Sequence, residues 1–353
     1  MFEGPGRRWI MAAALLLLPL LLQGLGDHWV RIADSCLLYV MLALGMNVIV
    51  GYAGLLDLGF VAFYGVGAYL FALLASGHLS ESVAWIGALF PAGLHTPWGI
   101  ALLLAAALAA LCGATLGAPT LKLRGDYLAV VTLGFGEIVR LLILNLDRPL
   151  NLTGGAKGVG PIDSLRVLGL DLSLPLQLAG WRVSPVTLHY YVFLAITVLM
   201  VTACWRIQRS RIGRAWMAIR DDEVAAQAMG LDTRALKLLA FGLGASFGGV
   251  AGMLFGSFQV FVSPEAFSLQ ESVLIVAMVV FGGIGHIPGV ILGAVLLTAL
   301  PELLRYVVGP LQEATDGRLD AGMLRPLFIA LAMVLTMLLR PRGLWPAPPG
   351  GMK

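Results

Sequence analysis

WRIQRSRIGRAWMAIRDDEVAAQAMGLDTRALK, residues 205–237, decides how this chain is read. The stretch is polar, lies between long apolar runs, and carries seven of the chain's 23 lysines and arginines: Arg206, Arg209, Arg211, Arg214, Arg220, Arg234 and Lys237. A basic segment between membrane spans belongs on the cytoplasmic side by the positive-inside rule. Ile212, Trp216 and Ile219 recur at i, i+4 and i+7, and this spacing predicts that they share one helical face. Asp221, Asp222 and Glu223 stand where a second short helix begins, their carboxylates against its positive end. Gly230 is the expected C-cap of that helix. A loop that only fixes topology needs charge alone. Apolar residues at helical spacing in a charged segment point instead to a docking platform for another protein.

Composition places the platform in a membrane. Of 353 residues, 59% are apolar and 12% charged, with a mean hydropathy of +0.90. Soluble domains carry about 25% charged residues. The fold class expected is an all-α polytopic membrane protein embedded in the lipid bilayer. The net charge of +3 is sorted by membrane side and implies no nucleic-acid partner. Cys36, Cys112 and Cys204 fall inside apolar runs without ligand spacing, and read as small packing residues. The five histidines are scattered and form no metal motif, so no metal is expected.

Outward from the platform, apolar runs predict about ten spans: 9–26, 35–50, 58–76, 98–118, 126–146, 187–205, 237–257, 269–283, 287–308 and 323–339. Arg7 and Arg8 precede the first, which is taken as uncleaved because no small-x-small site follows Leu22. The apolar part of 83–94 is too short to cross and is assigned to the interface. The longest polar interval, about 147–186, is assigned to the outer side. The platform loop spans about 206–236. Placing both termini inside puts 14 basic residues on cytoplasmic segments: Arg7, Arg8, Lys122, Arg124, the platform's seven, Arg340, Arg342 and Lys353. Seven fall outside: Arg31, Arg148, Lys157, Arg166, Arg182, Arg318 and Arg325. That two-to-one bias predicts N-in, C-in.

Four stretches together resemble one family: GYAGLLDLGFVAFYGVGAYLFALL (51–74), LRGDYLAVVTLGFGEIVRLL (123–142), SRIGRAWMAIRDDEVAAQAMG (210–230) and ESVLIVAMVVFGGIGHIPGVILGAVLLTALPELLR (271–305). The chain resembles the LivM-type permease subunits of branched-chain amino acid ABC importers, from about Leu37 to Gly343. The resemblance implies a single transmembrane permease domain over 1–353 in a bacterial inner membrane. Its implied partners are a second homologous permease, two cytoplasmic ATP-binding subunits and a periplasmic amino-acid-binding protein. The docking signature of such importers is Glu-Ala-Ala, three residues, then Gly. Ala225, Ala226 and Gly230 keep that spacing, while Val224 takes the first place and Glu223 stands one residue earlier. Within the resemblance, Ile212, Arg214, Trp216, Ile219, Glu223, Ala225, Ala226 and Gly230 are the expected coupling residues. The chain has no G-x-x-x-x-G-K-[ST] phosphate loop, so it is expected to bind no cofactor; ATP and Mg would be used by the partners.

Candidate residues for the translocation path are Gly51, Gly54, Asp57, Gly59, Tyr64, Glu137 and Arg140. Glycines crowd 51–67, and in a membrane helix they permit close packing or a break. Asp57 either orients such a break or caps the third span. Glu137 and Arg140 are i, i+3 neighbours within a span; an isolated ion there costs at least about 2.5–3.5 kcal/mol, so pairing is expected. NLTGGAKGVGP (151–161) reads as a flexible outer loop, and FGGIGHIPG (281–289) as a tight turn on the platform's side. A faint similarity between 51–68 and 282–294 hints at an internal repeat. Two alternatives compete with the branched-chain permease: a permease for urea, amides or other small polar solutes, and a stand-alone secondary transporter. No nucleophile motif or His–carboxylate pair supports an enzyme.

Overall fold

The computed structural model describes residues 5–314, apart from 92, 121–124, 149, 168 and 179–180, and beyond them 327, 330, 331, 334, 335, 338–340 and 343–345. The chain is a bundle of helices, as apolar segments must be when no water is present to satisfy backbone groups. In order these are α1 (Pro5–Leu25), α2 (Asp27–Met46) running into a π-helical turn (Asn47–Tyr52), α3 (Val61–Leu74), α4 (His78–Ser82), α5 (Ala84–Leu89), α6 (Trp98–Thr120) and α7 (Asp126–Asn145). There follow α8 (Pro185–Arg209), α9 (Arg211–Asp221), α10 (Glu223–Ala228), α11 (Thr233–Gln259), α12 (Leu269–Gly282) and α13 (Ile287–Ala314).

Among the described residues, six helices are long and apolar enough to cross a membrane: Asp27–Tyr52, Trp98–Pro119, Asp126–Asn145, Pro185–Arg209, Thr233–Gln259 and Ile287–Leu304. Three shorter apolar helices, Ala13–Leu25, Val61–Leu74 and Leu269–Gly282, stand at other expected spans. The expected span at 323–339 lies largely outside the described residues. So do Lys122, Arg124, Arg318, Arg325, Arg342 and Lys353, on which the charge bias partly rests.

Helix α11 is the axis of the bundle. Gly244, Gly248, Gly252 and Gly256 recur every four residues and are all buried. A Cβ on Gly244 would stand 2.8 Å from the Gly45 carbonyl of α2. One on Gly249 would stand 2.5 Å from the Ala105 carbonyl of α6, and one on Gly252 would strike the Tyr64 carbonyl of α3. Lipid tails are as apolar as the helices, so close backbone packing over small residues is what holds such helices together.

The 147–186 interval departs from an all-α fold. It contains two antiparallel hairpins, β1 (Arg166–Val167) with β2 (Leu170–Asp171) and β3 (Leu176–Leu178) with β4 (Trp181–Val183). The rule that forces helices applies only in lipid, and this polar, proline- and glycine-bearing stretch lies beyond the spans. Asp171 fastens the first hairpin by accepting from the Ser164 hydroxyl at 2.5 Å and from the Ser173 hydroxyl and amide at 2.7 and 3.0 Å. Those donors hold its carboxyl down at about 2. The 151–161 stretch, expected to be flexible, is tied down. Thr153 donates to the Ile143 carbonyl at 2.6 Å, and Val159 pairs with Val262 through two backbone bonds. Within 83–94 the chain forms α5, which has no buried residue, and Trp85 is 67% exposed.

Candidate coupling site and helix break

The platform folds as two short helices at one end of the bundle. Ser210 caps α9 by accepting from the Gly213 amide at 3.2 Å. Asp222 caps α10 by accepting from the amides of Val224 and Ala225 at 2.9 and 3.0 Å. Asp232 caps α11 from the Ala235 amide at 3.1 Å. Each side-chain oxygen satisfies backbone donors that a helix start leaves free. Gly230, at φ +83°, closes α10: the Leu231 amide donates to Ala226 and the Gly230 amide to Gln227. This is a Schellman closure, and it needs a residue tolerant of the left-handed region.

The apolar face of α9 differs from the expected one. Trp216 is fully buried and Ile219 is 4% exposed, but Ile212 is 40% exposed. The buried residues are Gly213, Trp216 and Ile219; Ile212 shares their side of the helix but is exposed in its first turn. Trp216 donates from Nε1 to the Leu236 carbonyl of α11 at 2.7 Å. Trp216 and Ile219 therefore anchor the platform to the bundle. Arg214 is exposed and its guanidinium donates back to the Arg209 carbonyl at 2.9 Å.

In α10 the two alanines have opposite surroundings: Ala226 is 4% exposed, while Ala225 faces outward. Glu223 holds the helix to α11, its carboxylate 2.5 Å from the buried ammonium of Lys237. The outward surface at α10 is largely apolar, with Val224 63% exposed and Met229, the residue that caps the helix, 83%.

The glycine-crowded stretch is a true interruption. After the π-helical turn, residues 53–60 run without helix, so the span expected from 58 begins at Val61. Asp57 is 1% exposed and does not cap α3, whose N-cap position is Phe60. Instead Asp57 accepts from the Gly59 amide at 2.8 Å and shapes the break itself. Gly59 lies against α7, where a Cβ would collide with the Thr132 carbonyl, and the Leu58 amide donates to the Thr132 hydroxyl at 3.0 Å. A small cleft here is lined by Asp57, Gly59, Phe63, Leu116, Thr132, Phe135 and Phe241.

Gly51 and Gly54 lie at the platform's edge. Arg220, the last basic residue of α9, donates from Nη1 to the Gly51 carbonyl at 2.5 Å. Tyr64 belongs elsewhere: it is 5% exposed and packs among Phe255 and Phe267, with centroids at 5.3 and 5.1 Å. Glu137 and Arg140 do pair. Nε lies 3.0 Å from both carboxylate oxygens, and Nη2 2.5 Å from one. The pair sits part-exposed on α7, away from the platform contacts.

Sequence reasoning passed over Arg220, Lys237 and Asn47. Arg220 was one of seven topology charges. Lys237 had a legible signal, since it stands within an apolar run where a lone ammonium needs a counter-ion.

Apolar spans around a glycine-lined axis, an interrupted span, and a capped polar platform at one end define a multi-pass membrane protein of the transporter class. The chain belongs to the family described as "Branched-chain amino acid transport system / permease component", which it matches over residues 29–339. It is 41% identical to the high-affinity branched-chain amino acid transport system permease protein LivM of Escherichia coli K12, covering 90% of this chain and 70% of that one. It is 25% identical to the probable LivM of Methanocaldococcus jannaschii, over 88% and 91% of the two chains. With the LivH permease of Salmonella typhimurium LT2 it shares 24% identity over 73% and 79%. No solved structure matches the chain.

Proposed function

We propose that this chain is one of two permease subunits of an ATP-driven importer that carries leucine, isoleucine and valine into the cell across the bacterial inner membrane. The second permease is a homologue, as the similarity to both LivM and LivH sequences supports. Two cytoplasmic ATP-binding subunits hydrolyse the ATP and Mg-bound nucleotide is theirs alone. A periplasmic binding protein delivers the cargo. The chain crosses about ten times with both ends in the cytoplasm, and the 206–236 platform receives the ATP-binding subunits.

The observation that carries this reading is the outward face of α10. Val224 and Met229 stand exposed on a helix whose inward side is clamped by Ala226, Glu223 and Lys237. Helices folded this firmly onto a bundle, with apolar residues turned to water, form a docking surface. The interrupted span at Gly51, Gly54, Asp57 and Gly59, with Glu137 and Arg140 on α7, borders the path taken by the cargo.

Uptake by the reconstituted importer tests the proposal. Proteoliposomes holding this chain, its homologous permease and both ATP-binding subunits, with binding protein added, should take up labelled leucine only when ATP is supplied. Accumulation of urea or ribose in place of leucine would overturn the substrate assignment. Uptake by the chain alone on an ion gradient would overturn the importer.

A further inference from the structure

Four observations converge where the platform meets the interrupted span. First, α2 ends in six residues of π-helix, Asn47–Tyr52, with the Ala53 amide reaching back to Val48 and that of Leu55 to Ile49. Second, the carbonyl of Gly51, near the negative end of that helix, accepts from the Arg220 guanidinium at 2.5 Å. Third, the stem of Arg220 lies on the following turn. Gly54 has φ +69°, and a Cβ there would come within 2.8 Å of Arg220 Cγ. Fourth, the Asn47 side chain fills the space that Gly51 leaves, and its Oδ1 accepts from the Gly285 amide at 2.8 Å. Arg220 Nη1 itself stands 3.0 Å from where a Gly285 Cβ would be. The two glycine turns and the platform thus meet at one knot.

We propose that Arg220 is the positioning residue through which movement of the docking platform reaches the interrupted span. This rests on the importer reading above. Helix α9 moves with α10 because Trp216 and the Lys237–Glu223 pair fix both to the start of α11. A push on α10 therefore displaces Arg220, which grips the π-helical turn by the Gly51 carbonyl. An α-helical register is the alternative state open to that turn. Returning it to α-helical register ejects one residue and rotates everything beyond by about 100°. Residues 53–60 would be carried with it, and with them Asp57 and Gly59, which pack on Thr132 of α7. A two-state element biased from one site is what coupling over a distance requires.

The test uses the complete importer in nanodiscs, with Arg220→Ala and Arg220→Lys beside the unsubstituted chain. Arg220→Ala should recover the ATP-binding subunits in full and keep basal hydrolysis. Stimulation by leucine-loaded binding protein should fall about tenfold, inside the usual range of coupling effects. Arg220→Lys, whose ammonium reaches the same carbonyl, should restore most of it. Arg220→Ala with normal stimulation overturns the proposal. So does loss of the ATP-binding subunits in Arg220→Ala, because that is the behaviour of a merely structural residue. Hydrogen exchange on the purified chain gives a readout independent of the importer. The amides of Ala53 and Leu55 should exchange about tenfold faster in Arg220→Ala, a loss of about 1.4 kcal/mol locally, with α6 unchanged. Unaltered exchange overturns the link itself, whereas altered exchange in a system that never hydrolyses ATP on stimulation places the failure in the importer reading.

Discussion

The ammonium of Lys237 lies 2.5 Å from the carboxylate of Glu223, and the lysine side chain is 6% exposed. This contact joins the second turn of α11 to the first residue of α10. It also accounts for a glutamate one place before the position where the docking signature has it: Glu223 serves the fold of the platform from inside.

Breaking that pair one residue at a time should be worse than removing it whole. Glu223→Gln leaves a buried ammonium unpaired, a loss of about 3–5 kcal/mol. Glu223→Gln combined with Lys237→Met should recover most of the thermal stability in detergent. Additive losses in the double variant would count against the pair.

Trp216→Ala should cost about 3–5 kcal/mol from the cavity alone, because the side chain is fully buried. Trp216→Phe keeps most of the ring volume but loses the bond to the Leu236 carbonyl and leaves a smaller cavity, so it should cost less, about 2 kcal/mol. Melting temperatures of the two variants check this order. A Trp216→Ala protein as stable as the unsubstituted one, lacking only its ATP-binding subunits, would return Trp216 to the docking surface.

Ala226 and Gly230 should fail for different reasons. Ala226→Arg places a long charged chain at a 4% exposed site and should unfold the platform. A side chain at Gly230 meets nothing within 4 Å, so Gly230→Val suffers only from its φ of +83°. That strain is about 1–2 kcal/mol, and Gly230→Asn should be milder. Limited proteolysis of 206–236 should separate the two sites.

Glu137→Gln should reduce insertion and expression more than Glu137→Gln with Arg140→Met. The lone arginine left on a part-exposed membrane helix has no partner, whereas the double variant leaves none behind. Equal expression of the single variant and the parent would remove the reason for pairing.

Cysteines placed at the exposed positions Arg214 and Lys157, with Cys36, Cys112 and Cys204 replaced by serine, should label from opposite sides of the membrane. Labelling of both from the periplasm would overturn N-in, C-in.

By itself the sequence determined what short-range chemistry controls. Apolar runs placed the six described helices long enough to cross a membrane, because in lipid a backbone can satisfy itself only within its own segment. Ser210, Asp222 and Asp232 with Gly230 set the ends of the platform helices, since caps act within four residues. The i, i+3 spacing of Glu137 and Arg140 made their pairing legible. Tertiary structure alone decided which way each platform residue faces. The packing of α9 on the bundle buried Trp216 and left Ile212, in the first turn, exposed, and no periodicity in so short and amphipathic a segment distinguishes a face packed on its own bundle from one packed on a partner. It also decided what Arg220 and Asn47 meet. Their partners, Gly51 and Gly285, are backbone groups 169 and 238 residues away in the chain. A carbonyl or amide of glycine carries no side-chain signature, so contacts of this kind exist only once the helices have packed.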